Sequence, residues 1–186
     1  MPKNRQQIPR EQRTAELLAA ATELFLRNGY AGTTIADISA AAGVAPANVY
    51  WYFPSKDDVF AAVMDRMLTR EARSLEHELR GKEPLPILIR GLDDMRAYRD
   101  LHRSMHSRLQ ESTAVREAHD RLLDWIRNNV YRVVDQHPGA SDRELVADIV
   151  VTLFEGANVS DPPTRSAIAM IPILLEALMG TRSKSA

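Results

Sequence analysis

The 186-residue chain contains no cysteine, which excludes a disulfide framework and any thiolate-held metal centre. Long apolar runs are missing too. The longest uncharged one, AIAMIPILL at Ala167–Leu175, is far short of the roughly 20 residues that span a bilayer. The opening segment MPKNRQQIPREQR is polar and lacks the apolar stretch of a secretory signal. There is no GxSxG elbow, no phosphate-binding glycine loop and no carboxylate-bridged metal motif. Alternating strand-like runs, repeats and low-complexity tracts are also absent. These absences predict a cytoplasmic protein with no membrane partner, and they point away from an enzyme. Aromatic residues make up only 6% of the chain, so a local concentration of them calls for a reason.

That concentration lies in GVAPANVYWYFPSKDDV, Gly43–Val59, where Tyr50, Trp51, Tyr52 and Phe53 are consecutive. The surrounding chain has helical periodicity throughout. One helix is predicted from a Thr14 cap to Asn28, with Leu17, Ala21, Leu24 and Phe25 on one face and Gly29 as its stop. A short helix follows from Thr34, whose spacing to Asp37 is that of a capping box. Gly43 ends it, and a third helix begins with Pro46 in the first turn. Ser55 and Asp58 cap a longer helix that stops near Gly81. Beyond GKEPLPI the pattern predicts helices at about 85–110, broken near Arg99-Asp100, then 115–136, 141–158 and 163–179, the third with a Ser141–Glu144 capping box and the last bent at Pro172.

At about 100° per residue, Val49, Tyr52 and Phe53 of the third helix lean towards a core, while Ala47, Asn48 and Trp51 face away and Tyr50 lies on the flank. Phenol and indole groups donate hydrogen bonds to phosphate oxygens. An Asn can pair bidentately with adenine, and a small Ala lets a helix approach base edges. Lys56 adds a further phosphate donor. Two short helices joined by a glycine turn form a helix-turn-helix, whose second helix enters the major groove. The competing reading is an aromatic helix that merely staples a core, or anchors a protein partner in an adaptor. Charge distribution favours a polyanion: residues 1–56 hold six basic and four acidic side chains, whereas net charge over the whole chain is −1.

The stretch TTIADISAAAGVAPANVYWYFPSKDDVFAAV, with AAATELFLRNGYAG before it, resembles the DNA-binding domain of the TetR family of bacterial transcriptional regulators. The resemblance covers about residues 14–64 and rests on Phe25, Gly29, Tyr30, Thr33-Thr34, Ile38, Ala42-Gly43-Val44, Tyr50, Tyr52-Phe53 and Ser55-Lys56. It implies an all-α fold: a basic arm over 1–13, a helix-turn-helix domain over 14–56, a connecting helix over 57–81, a ligand-binding and dimerisation domain over 82–180, and a tail over 181–186. It places phosphate contacts at Thr34, Tyr50, Trp51, Tyr52 and Lys56, and base reading at Pro46, Ala47 and Asn48. Ala45 and Pro46 stand where the family often has Ser and Lys, and the arm with Lys3, Arg5, Arg10 and Arg13 is a candidate to compensate from the minor groove.

The resemblance further implies a repressor, or an activator, working as a homodimer on a palindromic operator and answering to an unidentified small effector without a cofactor. Leu145, Ile149, Leu153, Ala157, Ile168, Ile171, Leu175 and Leu178 are the candidate dimer residues; a monomer burying both final helices is the alternative. Met95, Tyr98, His102, Met105, Leu109, Leu122, Trp125 and Ile126 are candidate cavity residues, and each is also suited to a plain helical core. His102 and His106 share a helix face and offer a metal-dependent enzyme as a remoter alternative. No third ligand is visible in the spacing, so no metal is expected, and His119 and His137 read as solvated.

Overall fold

The computed structural model describes residues 9–79, 84–136, 142–159, 170–171 and 173–174. Its regular elements are α1 (Arg10–Asn28), α2 (Ile35–Ala41), α3 (Pro46–Tyr52), α4 (Lys56–Leu79), α5 (Pro84–Asp94), a 3-10 turn (Met95–Tyr98), α6 (Arg99–Arg108), α7 (Thr113–Asp135) and α8 (Arg143–Val159). The protein is all-α, with an N-terminal helix-turn-helix followed by a C-terminal helical domain.

The ends of the short helices are set locally. Gly29 (φ 70°) and Gly43 (φ 64°) occupy the left-handed region that side chains avoid. Thr34 accepts a hydrogen bond from the Asp37 amide at 3.1 Å, and Asp37 accepts one from the Thr34 amide at 2.9 Å, closing the expected capping box. Pro46 begins α3. Helix α1 starts four residues before the expected Thr14 cap. The Thr14 hydroxyl instead donates back to the Arg10 carbonyl at 2.9 Å, as Thr does inside a helix. Arg10 and Arg13 therefore belong to α1, not to an arm; residues 1–8, with Lys3 and Arg5, lie outside the described residues.

The break expected near Arg99-Asp100 falls earlier, at the Met95–Tyr98 turn. Asp142, rather than the undescribed Ser141, accepts from the Glu144 amide at 2.9 Å at the start of α8.

Two large apolar clusters dominate the core of the described residues. The first joins α1–α3 and the start of α4, and it also takes in Leu101 and Met105 of α6 and Val115 and Ala118 of α7. Its centre is aromatic: Phe25 meets Phe60 edge-on at 5.2 Å, and Tyr30 lies 5.0 Å from Phe60. Truncating the fully buried Phe60 to Ala in such a site costs about 3–5 kcal/mol. The second cluster packs α5 against α7 and α8. The helix-turn-helix core thus continues into α6 and α7 without a gap.

Candidate nucleic-acid interface and adjoining cavity

Helix α3 hangs on the core by Val49, which is fully buried, and by half-buried Tyr52. Pro46, Ala47, Asn48, Tyr50 and Trp51 are all exposed. Tyr50 is 53% exposed and Trp51 64%, values that no core-stapling role explains. Arg10 supplies a partner: its guanidinium lies 4.8 Å from the centre of the Trp51 ring and 5.9 Å from that of Tyr52. Trp51 and Tyr52 meet edge-on at 4.7 Å. A cation and two rings from α1 and α3 therefore share the patch beside Asn48. Thr34 is exposed at the start of α2 with its hydroxyl engaged by Asp37.

Lys56 is placed differently from the free phosphate donor expected. Its ammonium donates to the carbonyls of Tyr30 at 3.0 Å and Thr33 at 3.1 Å, and it lies 4.0 Å from the centre of the Tyr30 ring. Burial lowers its pKa, and Asp57 partly opposes this. Two of its three N–H groups are occupied in pinning the α1–α2 loop, leaving one for a phosphate.

Next to Lys56, Asp57 ties the two domains together. Arg108, at the end of α6, donates to both carboxylate oxygens of Asp57, Nε at 3.2 Å and Nη2 at 2.9 Å. The Tyr30 hydroxyl donates to the same carboxylate. Burial alone would raise the Asp57 pKa; the hydrogen bonds from Arg108 and Tyr30 outweigh it and hold the carboxyl low. Burial and the Asp57 hydrogen bond push the Tyr30 phenol up to about 12. Sequence reasoning had no sign of this Tyr30–Asp57–Arg108 junction, since its members lie 27 and 51 residues apart.

A cavity of about 50 Å³ lies between α4, α6, α7 and α8. Met95, Tyr98, His102, Met105 and Leu122 line it as expected, joined by Met64, Met67 and Leu68 of α4 and by Phe154 and Asn158 of α8. Three expected residues sit elsewhere. Leu109 packs on the N-terminal core, Ile126 is wholly buried in the second core, and Trp125 packs against α5. A Cβ on Gly91 would lie 3.2 Å from the Trp125 ring, so the glycine leaves room for this ring against α5.

Of the candidate dimer residues, Leu145 is 55% exposed on α8, with Ile149 and Leu153 half-buried beside it. Ala157 and Ile171 are instead buried within the chain itself. Ile168, Leu175 and Leu178 lie outside the described residues.

His119 is corrected outright. It is 6% exposed, on the buried stripe of α7 with Val115, Ala118, Leu122 and Ile126. The helical spacing of those residues was the signal that placed it inward. Its Nε2 lies 3.2 Å from Glu155 Oε2, and His102 Nε2 lies 3.0 Å from Glu155 Oε1. His102 and His106 therefore do have further potential ligands close by. His137 lies outside the described residues.

This geometry defines a helix-turn-helix protein with an exposed, aromatic-edged second helix on an all-helical body. Residues 17–63 match the model of the family described as bacterial regulatory proteins, tetR family. The match covers the helix-turn-helix part of the chain and supports membership of that family. The HTH-type transcriptional repressor Rv3405c of Mycobacterium tuberculosis is 38% identical over 92 residues, 48% of this chain and 47% of that protein. The match thus spans about half the length of the curated relative. A transcriptional regulator from Rhodococcus sp. superposes with a TM-score of 0.72 at 18% identity, covering 90% of this chain and 96% of that one. FadR of Thermus thermophilus, a TetR family repressor solved with lauroyl-CoA, does so with a TM-score of 0.67 at 22% identity, covering 93% and 97%. At such identities the likeness is one of fold, and it runs through both domains.

Proposed function

We propose that the protein is a cytoplasmic, homodimeric transcriptional repressor that binds a palindromic DNA operator and leaves it when a small, largely apolar effector enters the cavity. The exposed face of α3 carries this reading. Asn48 and Ala47 stand where base edges are read, and Tyr50, Trp51 and Arg10 stand where phosphates would lie. Thr34, Tyr52 and the remaining Lys56 N–H complete the backbone clamp, and Pro46 shapes the leading end of the helix. Doubling this short helix across a two-fold axis gives it enough sequence to read. The exposed Leu145 with Ile149 and Leu153 on α8 supports self-association.

The cavity supports the effector half of the reading. Four of its lining residues are methionines, whose unbranched side chains repack around ligands of varied shape. An effector larger than this space would displace α4 and α6, and α4 begins at Lys56, directly after the helix-turn-helix. Arg108 on Asp57 carries a displacement of α6 to the same point. No reaction is assigned: the reading is one of binding, not catalysis.

The test is selection of bound duplexes from random DNA, followed by titration against salt. An inverted-repeat consensus with a steep salt dependence is expected. Recovery of no consensus, with affinity equal for all duplexes, would overturn the reading.

A further inference from the structure

Four side chains from three helices converge below the cavity. His102 and His106 come from adjacent turns of α6, His119 from α7 and Glu155 from α8. One potential ligand atom from each lies within 4.8 Å of all the others. The imidazole rings crowd together, with centroids 4.8 Å apart for His102–His106 and for His106–His119. All three present Nε2 to the one carboxylate, at 3.0, 2.5 and 3.2 Å for His102, His106 and His119. His102 and His119 are buried, while His106 and Glu155 are half-buried.

Hydrogen bonding does not account for the whole arrangement. His106 Nε2 is enclosed and close to Glu155, yet it lies off the hydrogen-bonding direction and has no hydrogen-bond partner among the described residues. A helical core needing one buried ion pair has no use for three imidazoles on one carboxylate, because each added ring brings a desolvation cost of its own. We propose that His102, His106, His119 and Glu155 form a binding site for a divalent transition-metal ion of the zinc type. Three imidazole nitrogens and one carboxylate oxygen are the donors that zinc, cobalt and nickel accept, and the absence of thiolates disfavours the softer cuprous ion. Metal–ligand bonds of about 2.0–2.1 Å in a tetrahedral site separate neighbouring donors by about 3.3 Å. The present spacings fall on both sides of that value, so the rings have only short distances to move.

The charge balance suits the site. Three imidazoles and one carboxylate offer a divalent ion a single anionic ligand. His102 also lines the cavity, so a bound ion would stand at the edge of that space. It would fasten α6 to both α7 and α8.

The test uses tag-free full-length protein stripped with a chelator and titrated by calorimetry with Zn²⁺ alone, then by visible absorption with Co²⁺ alone. One equivalent of Zn²⁺ per chain is expected, with the ligand-field bands of a low-coordinate Co²⁺ centre. His106→Gln and His119→Gln should each weaken Zn²⁺ binding by at least about 100-fold, since even residues that only support a ligand are worth 10–100-fold. Gln keeps the size and an N–H donor, so a merely hydrogen-bonded core would tolerate both variants, and circular dichroism checks that each is folded. Wild-type protein that binds neither ion at micromolar concentration overturns the proposal. So does unchanged Zn²⁺ affinity in both folded variants, which would put the ion elsewhere. Should the variants not fold, the Co²⁺ spectrum of the wild type decides, its absence refuting the site.

Discussion

Replacing Arg108 with Ala separates the two domains at one contact. The change removes two charge-assisted hydrogen bonds from a carboxylate whose side chain is only 14% exposed, while the arginine is 27% exposed. A pair buried on both sides would cost about 3–5 kcal/mol to break, and a fully exposed one at most about 1. Tyr30 and Lys56 remain beside Asp57 to offset part of its charge, so the loss should be about 2 kcal/mol. For a chain of this size that lowers the melting midpoint by about 4–8 °C. The effect depends on pH in a defined direction. The folded pKa of Asp57 lies below its unfolded value near 3.8, so its contribution is fully present above that value and fades as pH falls through the folded pKa. The gap between wild type and Arg108→Ala should therefore be full at pH 7 and shrink below pH 3.8. Melting curves at both pH values, with Asp57→Asn and the double variant completing a cycle, supply the check. A midpoint within 1 °C of wild type at pH 7, or a gap that widens in acid, would refute the junction as described.

Lys56→Met should cost about 1–2 kcal/mol of stability, because the Tyr30 and Thr33 carbonyls lose their donor; a fall in DNA affinity with unaltered stability would return this side chain to a purely phosphate-binding role. Asn48→Ala should cost about 1–3 kcal/mol of operator affinity and relax preference at one base pair per half-site, whereas Tyr50→Phe should weaken binding to all duplexes alike. Affinities over single-base operator variants distinguish these two results, and the reverse pattern would mean the two faces of α3 are misassigned. Leu145→Glu should shift the protein towards a single-chain mass by light scattering, and a wild type that is itself monomeric at micromolar concentration removes the basis for the change.

The parts of the fold legible in the sequence are those decided within one or two helical turns. Gly29, Gly43, the Thr34–Asp37 box and Pro46 each act on backbone no more than four residues away, and all four fall where the pattern places them. The outward turn of Tyr50 and Trp51 followed from periodicity around Val49. Where two local rules competed, residue type misled: Thr14 resembles a cap, but four helix-forming residues precede it and its hydroxyl serves the chain behind. Tertiary packing decided the rest. Trp125 packs at Gly91 instead of lining the cavity, the loop carbonyls hold Lys56 inward, and Arg108 meets Asp57 across 51 residues. His102 and His106 were visible as a pair because one helix sets their spacing. Their union with Glu155, 53 residues from His102, depends on how α6, α7 and α8 cross, and helix periodicity fixes only which face is buried, not which partner it meets.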